Sequence, residues 1–180
     1  MNRIWLKNYP QGMPAEIDPD QFQSIPDLLD KLFVKFAARP AYHNLGYTMS
    51  YAEVERKSRA FAAFLQGLPG MARGERVAVM SPNLLQYPVV LFGILRAGMT
   101  VVNVNPLYTP RELEHQLKDS GTRAIVIVEN FAQTLQQVLG RTPSRATPRP
   151  RWSAARRSSM SSPRRLAICY RYRNAGWSIS

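Results

Sequence analysis

The sequence predicts an α/β fold, a parallel sheet with flanking helices. Three observations carry that prediction. From Gly74 onward, short apolar runs alternate with helical stretches three times over. The runs "RVAVM", "TVVNV" and "AIVIV" are β-prone and have uncharged centres, as strands buried on both faces do. Each is followed by ten or so residues of helical pattern, and such repeated strand–helix units imply right-handed crossovers between parallel strands.

Taken in order, residues 1–23 carry Pro10, Pro14 and Pro19 with no apolar period, which predicts an extended arm. "SIPDLLDKLFVKFAARP" then sets Leu28, Leu29, Leu32, Phe33 and Phe36 on one helical face. Pro26 suits the first turn of that helix and Pro40 stops it. "AYHNLGYTMSY" reads as a hairpin of two short β-prone runs turning at Gly46. Ser50 and Glu53 have capping-box spacing, each side chain satisfying a free backbone N–H. The helix they open aligns Val54, Ser58, Phe61, Leu65 and Leu68, with Arg56, Lys57 and Arg59 on its solvated face.

"RVAVMS" is the first strand of the alternating part. "YPVVLFGILRAG" is apolar nearly all round, so it predicts a buried helix with Pro88 in its first turn and Gly98 at its end. "MTVVNVN" is the second strand. It ends at Asn105-Pro106, since proline has no N–H for a ladder. Thr109 caps the next helix, Pro110 takes its first position, Glu112 completes a second capping box, and Gly121 closes it. "RAIVIVE" and "FAQTLQQVL" are the third strand and helix. Every conspicuous residue of "VNVNPLYTPRELEHQL" thus has a turn or cap role.

Charge divides the chain in two. Of 24 Lys and Arg and 12 acids, residues 1–140 hold 14 basic and all 12 acidic residues, a net of +2; residues 141–180 hold ten Arg and no acid, a net of +10. The basic excess of the whole chain therefore describes its tail. The boundaries expected are a folded part over 1–140 and an Arg/Ser/Pro-rich tail over 141–180, whose composition predicts disorder. Such a tail could contact nucleic acid through phosphate, without reading sequence. Cys169 is the only cysteine, so no intramolecular disulfide can form. No secretory h-region opens the chain, and the greasy run Val89–Leu95 is too short to span a bilayer, which takes about 20 residues. A cytoplasmic location is expected.

No catalytic, cofactor-binding or metal-ligating residue can be nominated. The turns after "RVAVMS" and "VVNVN" contain no glycine to bring backbone close to a pyrophosphate, and there is no Walker loop. His43 and His115 are the only imidazoles, and neither has a Cys or second His at metal spacing. No G-x-S-x-G elbow occurs. Asp18 with Asp20, and Glu112 with Glu114, are two apart and point to different faces of a helix.

From Ile4 to Leu139 the chain resembles the N-terminal part of a bacterial long-chain fatty-acid–CoA ligase of the AMP-forming, adenylate-forming family. The resemblance rests on "TMSYAEVERKSRAFAAFLQ", on "GERVAVMSPNLLQYPVVLFGILRAGMTVVNVNPLYTPRELEHQLKDSG" and on "AIVIVENFAQTL". It implies a partial N-terminal subdomain of the adenylate-forming fold. It also implies, for the full-length family, ATP, magnesium and CoA, with a fatty acid joined to CoA through an acyl-adenylate, and room for peripheral membrane association. The family's Ser/Thr/Gly-rich phosphate loop ending in Lys, its Tyr-Gly-x-Thr-Glu segment, its ribose-binding Asp and its C-terminal Lys have no counterpart string here. No family site residue is therefore carried over. The resemblance stops near residue 140, and the abrupt switch to Arg, Ser and Pro is what out-of-frame translation of a GC-rich gene gives. The expectation is a ligase fragment that is itself inactive; the alternative is a small α/β interaction module with a basic nucleic-acid-binding arm.

Overall fold

The structure, a computed structural model, describes residues 3–141 and 166–170. The arm expected to be extended contains a 3-10 turn over Ile4–Asn8, with no buried residue. Helix α1 (Ile25–Lys35) is capped by the Ser24 hydroxyl, which accepts from the Asp27 N–H. Of its predicted apolar face only Leu29 and Phe33 are fully buried. Strands β1 (Pro40–Asn44) and β2 (Tyr47–Ser50) pair antiparallel. Their two-residue turn puts Leu45 at φ 47° and Gly46 at φ 78°, the left-handed pair that a tight hairpin requires. Gly46 is at home there; Leu45 is not, because its side chain crowds the backbone in that region.

Helix α2 (Tyr51–Gly67) opens with the predicted capping box: Ser50 accepts from the Glu53 N–H, and Glu53 reaches back to the Ser50 N–H. Strand β3 (Arg76–Met80) and helix α3 (Gln86–Arg96) follow, then β4 (Thr100–Val104), α4 (Pro110–Asp119), β5 (Ala124–Val128) and α5 (Ala132–Arg141). A further strand, β6 (Leu166–Tyr170), lies in the segment expected to be disordered. It runs parallel to β5, with Val126 opposite Ile168 and Ile127 opposite Cys169. The main sheet therefore has the order β4-β3-β5-β6, all parallel, with one strand more than the three expected. The rest of the disordered-tail expectation, at 142–165 and 171–180, lies outside the described residues.

Alternation along each strand divides the core. Val77 and Val79 of β3 and Ala124, Val126 and Val128 of β5 face α2 and α3, against Phe61, Leu65, Val90 and Ile94. Ala78, Met80, Ile125 and Ile127 face the other way, onto Leu113 and Leu117 of α4 and Leu135 and Val138 of α5. A third cluster joins Leu29 and Phe33 of α1 to Met49, Val54, Leu85 and Val89, and so fixes the hairpin and α1 beside α3. Helices α2 and α3 approach closely at Gly93. A Cβ there would lie 2.7 Å from the Phe61 ring and 3.0 Å from the Ser58 carbonyl.

Candidate functional site

Open parallel sheets bind ligands beyond the carboxyl ends of their strands, where successive crossovers part to opposite faces. Here that place is the end of β3, between Ser81–Leu85 and Asn105–Thr109, because α3 covers one face and α4 the other. The polar side chains there are amides, hydroxyls and one carboxylate. Asn44 of the hairpin donates from Nδ2 to the Asn83 carbonyl at 2.7 Å, tying the hairpin to the β3–α3 turn. Ser81 donates to the Pro82 carbonyl at 2.7 Å. Tyr87 donates its hydroxyl proton to Asn103 Oδ1 at 3.0 Å, joining α3 to β4. Gln86, 8% exposed at the start of α3, buries its Oε1 with no donor among the described residues.

After β4 the chain turns on itself. Asn105 Oδ1 accepts the Leu107 N–H at 3.0 Å, and the Asn105 carbonyl accepts the Tyr108 N–H at 3.1 Å. The Thr109 N–H and hydroxyl both donate to Glu112 Oε2, at 2.8 and 2.7 Å. The Thr109 hydroxyl first, and its backbone N–H second, hold the Glu112 carboxyl below the ordinary range. A carboxylate so held is a cap. It is not poised to take a proton at neutral pH. Gln116 of α4 donates from Nε2 to the Asn103 carbonyl at 2.8 Å, across the outer edge of β4.

The remaining candidates lie apart from this place. His43 is in β1, with Nδ1 2.7 Å from the Thr48 hydroxyl. His115 is exposed on α4. Asp18 accepts the Asp20 N–H at 3.0 Å in a local turn, and Glu114 pairs with Lys118 one helical turn away. Among the described residues no group of three or more His, Cys, Asp or Glu could hold a metal ion. The two turns at the sheet's end carry no glycine, and the hydrogen bonds that brace them among the described residues come from amides and hydroxyls. The described residues thus do not fit a nucleotide phosphate or its magnesium. No described helix is long and apolar enough to cross a membrane.

Sequence patterning missed three features. Tyr87–Asn103 and Gln116–Asn103 are contacts across the fold, and nothing local announces them. Arg96, whose side chain is 7% exposed, donates from Nη1 to Asp30 Oδ1 at 2.5 Å and lies over the Phe33 ring. Its position at the end of an apolar helix gives no local sign of either partner.

The profile of the AMP-binding enzyme family matches residues 30–174, past the point where the sequence resemblance was expected to stop. Over 142 residues, 79% of the chain, the protein is 58% identical to a long-chain-fatty-acid–CoA ligase of Escherichia coli O6:H1 and 55% identical to one of Haemophilus influenzae. It spans 25% of the length of each, so about a quarter of these curated relatives is represented. Among solved structures, a benzoate CoA ligase from Burkholderia xenovorans LB400 superposes with a TM-score of 0.62 at 29% identity, over 65% of this chain and 24% of that one.

Proposed function

We propose, since this chain belongs to the AMP-binding enzyme family, that it is the N-terminal part of a long-chain fatty-acid–CoA ligase. The observation that carries this reading is the 58% identity sustained over 142 residues with relatives of that one name. The full-length enzyme would join ATP and a long-chain fatty acid into an acyl-adenylate with release of pyrophosphate. The CoA thiol would then attack the acyl carbon and release AMP. Its setting would be the cytoplasm, with fatty acid reaching it from the membrane surface.

In this scheme the 180-residue chain contributes scaffold and no chemistry. The turn after β4 is braced by its own hydrogen bonds at Asn105 and Glu112, and the turn after β3 is tied to the hairpin through Asn83. Fatty-acid-dependent exchange of labelled pyrophosphate into ATP is the direct test. The expected result is no exchange above a blank; measurable exchange would show that the chain builds an ATP site of its own.

Residues 141–180 are read as an out-of-frame continuation, on the strength of their ten Arg and no acid. The coding sequence past codon 140 decides this. A shift of one or two bases should restore ligase sequence with its phosphate loop, and a gene that continues in register with its relatives through codon 174 overturns it. The alternative, an interaction module with a nucleic-acid arm, has no finding in its favour. Residues 1–140 carry a net charge of only +2, from 14 basic and 12 acidic residues.

A further inference from the structure

Among the described residues strand β4 is an edge of the sheet, paired only with β3. The Thr100 N–H donates inward to the Glu75 carbonyl at 2.9 Å. Since successive residues of a strand turn their backbone groups to opposite sides, Val101 and Asn103 turn theirs outward. The Gln116 bond to the Asn103 carbonyl lies on that outer side and is its one guard among the described residues. Among the described residues the other protections that edge strands carry are missing. β4 has no proline and no break in its register with β3. No charged residue occurs between Arg96 and Arg111.

We propose that the outer edge of β4 is a self-association seam, pairing antiparallel with β4 of a second copy about a two-fold axis at Val102. The register is self-complementary. Thr100 falls opposite Val104, Val101 opposite Asn103, and Val102 opposite itself. Val101 and Asn103 then exchange N–H and carbonyl bonds in both directions. Their side chains stay on one face of the widened sheet, the face where Val101 packs beside α3 and Asn103 meets Tyr87.

Charge selects this edge and this occupant. The other edge, β6, is bracketed in sequence by Arg165 and Arg171, so like charges flank any pairing of two copies there. The chain's Arg-rich segments find no counter-charge on β4, whereas a second β4 brings no like charge to the seam. The contact is a single strand. It falls below the roughly 1,000 Å² of a stable interface, so the dimer forms and dissociates with concentration. A net charge of +12 on each copy opposes association, and salt relieves that repulsion.

The test is sedimentation velocity on the full 180-residue chain, across concentration and from low to high NaCl. A monomer–dimer equilibrium is expected, with the dimer share rising with both. Val101→Pro removes an outward N–H that β3 does not use, and Thr100→Lys places a charge in the seam. Each should leave the chain monomeric with an unchanged far-ultraviolet spectrum, and Thr100→Lys decides if the proline variant does not fold. Gln116→Leu removes the guard and should tighten the dimer several-fold. In hydrogen exchange, the Val101 and Asn103 amides should slow when the dimer forms and quicken on dilution. A monomer throughout overturns the proposal, as do open-ended polymers or a dimer indifferent to both edge variants. So does a monomer whose Val101 and Asn103 amides are already slow, because the chain would then cover its own edge.

Discussion

At the scale of single residues, the polar groups that matter are those held by one geometry. Glu53 accepts from the Tyr47 hydroxyl at 2.8 Å and from the Ser50 N–H at 3.2 Å, with Lys57 a turn away. The Tyr47 hydroxyl first, then the Ser50 N–H, lowers the Glu53 pKa; the same bond raises that of Tyr47. A carboxyl with a lowered folded pKa contributes stability above its unfolded pKa and loses it as pH falls through the folded one. Urea midpoints measured between neutrality and about pH 3 should therefore fall less steeply on the acid side in Glu53→Gln than in the native chain. For Tyr47 the sign is opposite. Its contribution is present below the unfolded pKa and lost at alkaline pH, and Tyr47→Phe should remove that alkaline limb. Arg96 and Asp30 form an asymmetric pair, one buried and the other half exposed, with Arg59 sharing the same Asp30 oxygen. Removing Asp30 strands a buried guanidinium whose Nε and Nη2 already lack acceptors among the described residues. Asp30→Ala should cost about 1–3 kcal/mol by equilibrium denaturation, after allowance for the exposure of Asp30. Arg96→Met, which removes the charge and keeps the stem, should cost less.

At the scale of elements, two helices are set by their first residues and one pair by a glycine. Ser50 and Thr109 each complete a capping box, and Ser50→Ala should lower stability by about 1 kcal/mol, read from the urea midpoint. Helices α2 and α3 meet at Gly93, where any Cβ strikes the Phe61 ring and the backbone oxygen of Ser58. The ring can turn, but the carbonyl belongs to the α2 ladder and cannot. Gly93→Ala gains helix propensity yet forces the helices apart, and we expect a net loss of roughly 1–3 kcal/mol by the same measurement. The capping boxes were readable as Ser-x-x-Glu and Thr-x-x-Glu. The glycine was not, because a glycine inside a helix signals close approach without naming what approaches.

At the scale of the whole molecule, the sheet is ordered from the inside out. β3 and β5 are flanked by strands on both sides and covered by helices on both faces, and β4 and β6 are edges. Amide exchange should be slowest in β3 and β5. Cutting the chain after residue 141 deletes β6 and leaves the β5 carbonyls and amides on that side unpaired. The shortened chain should exchange its β5 amides faster, while those of β3 keep their relative protection. If β5 exchanged no faster, β6 would contribute nothing to the sheet. The short strands with uncharged centres and the β4 edge also predict low solubility for the isolated chain, checked by its recovery from the soluble fraction at rising concentration.

By itself the sequence determined the fold class, the strand and helix order through α5, both capping boxes and the turn at Gly46. These depend on residues within a few positions of one another, and hydrophobic period, proline and cap chemistry report them directly. Residues near in sequence also carried the resemblance to the ligase family, which is a likeness of strings. Only the tertiary structure decided the strand order, which places β3 between its successors β4 and β5, and the pairing of β6. It alone showed that Tyr87, Asn103 and Gln116 meet, and that Arg96 is buried against Phe33 and Asp30. The reason is range. Crossovers bring together residues many positions apart, as α1 is brought to α3, and no local pattern records which distant partner a side chain will find.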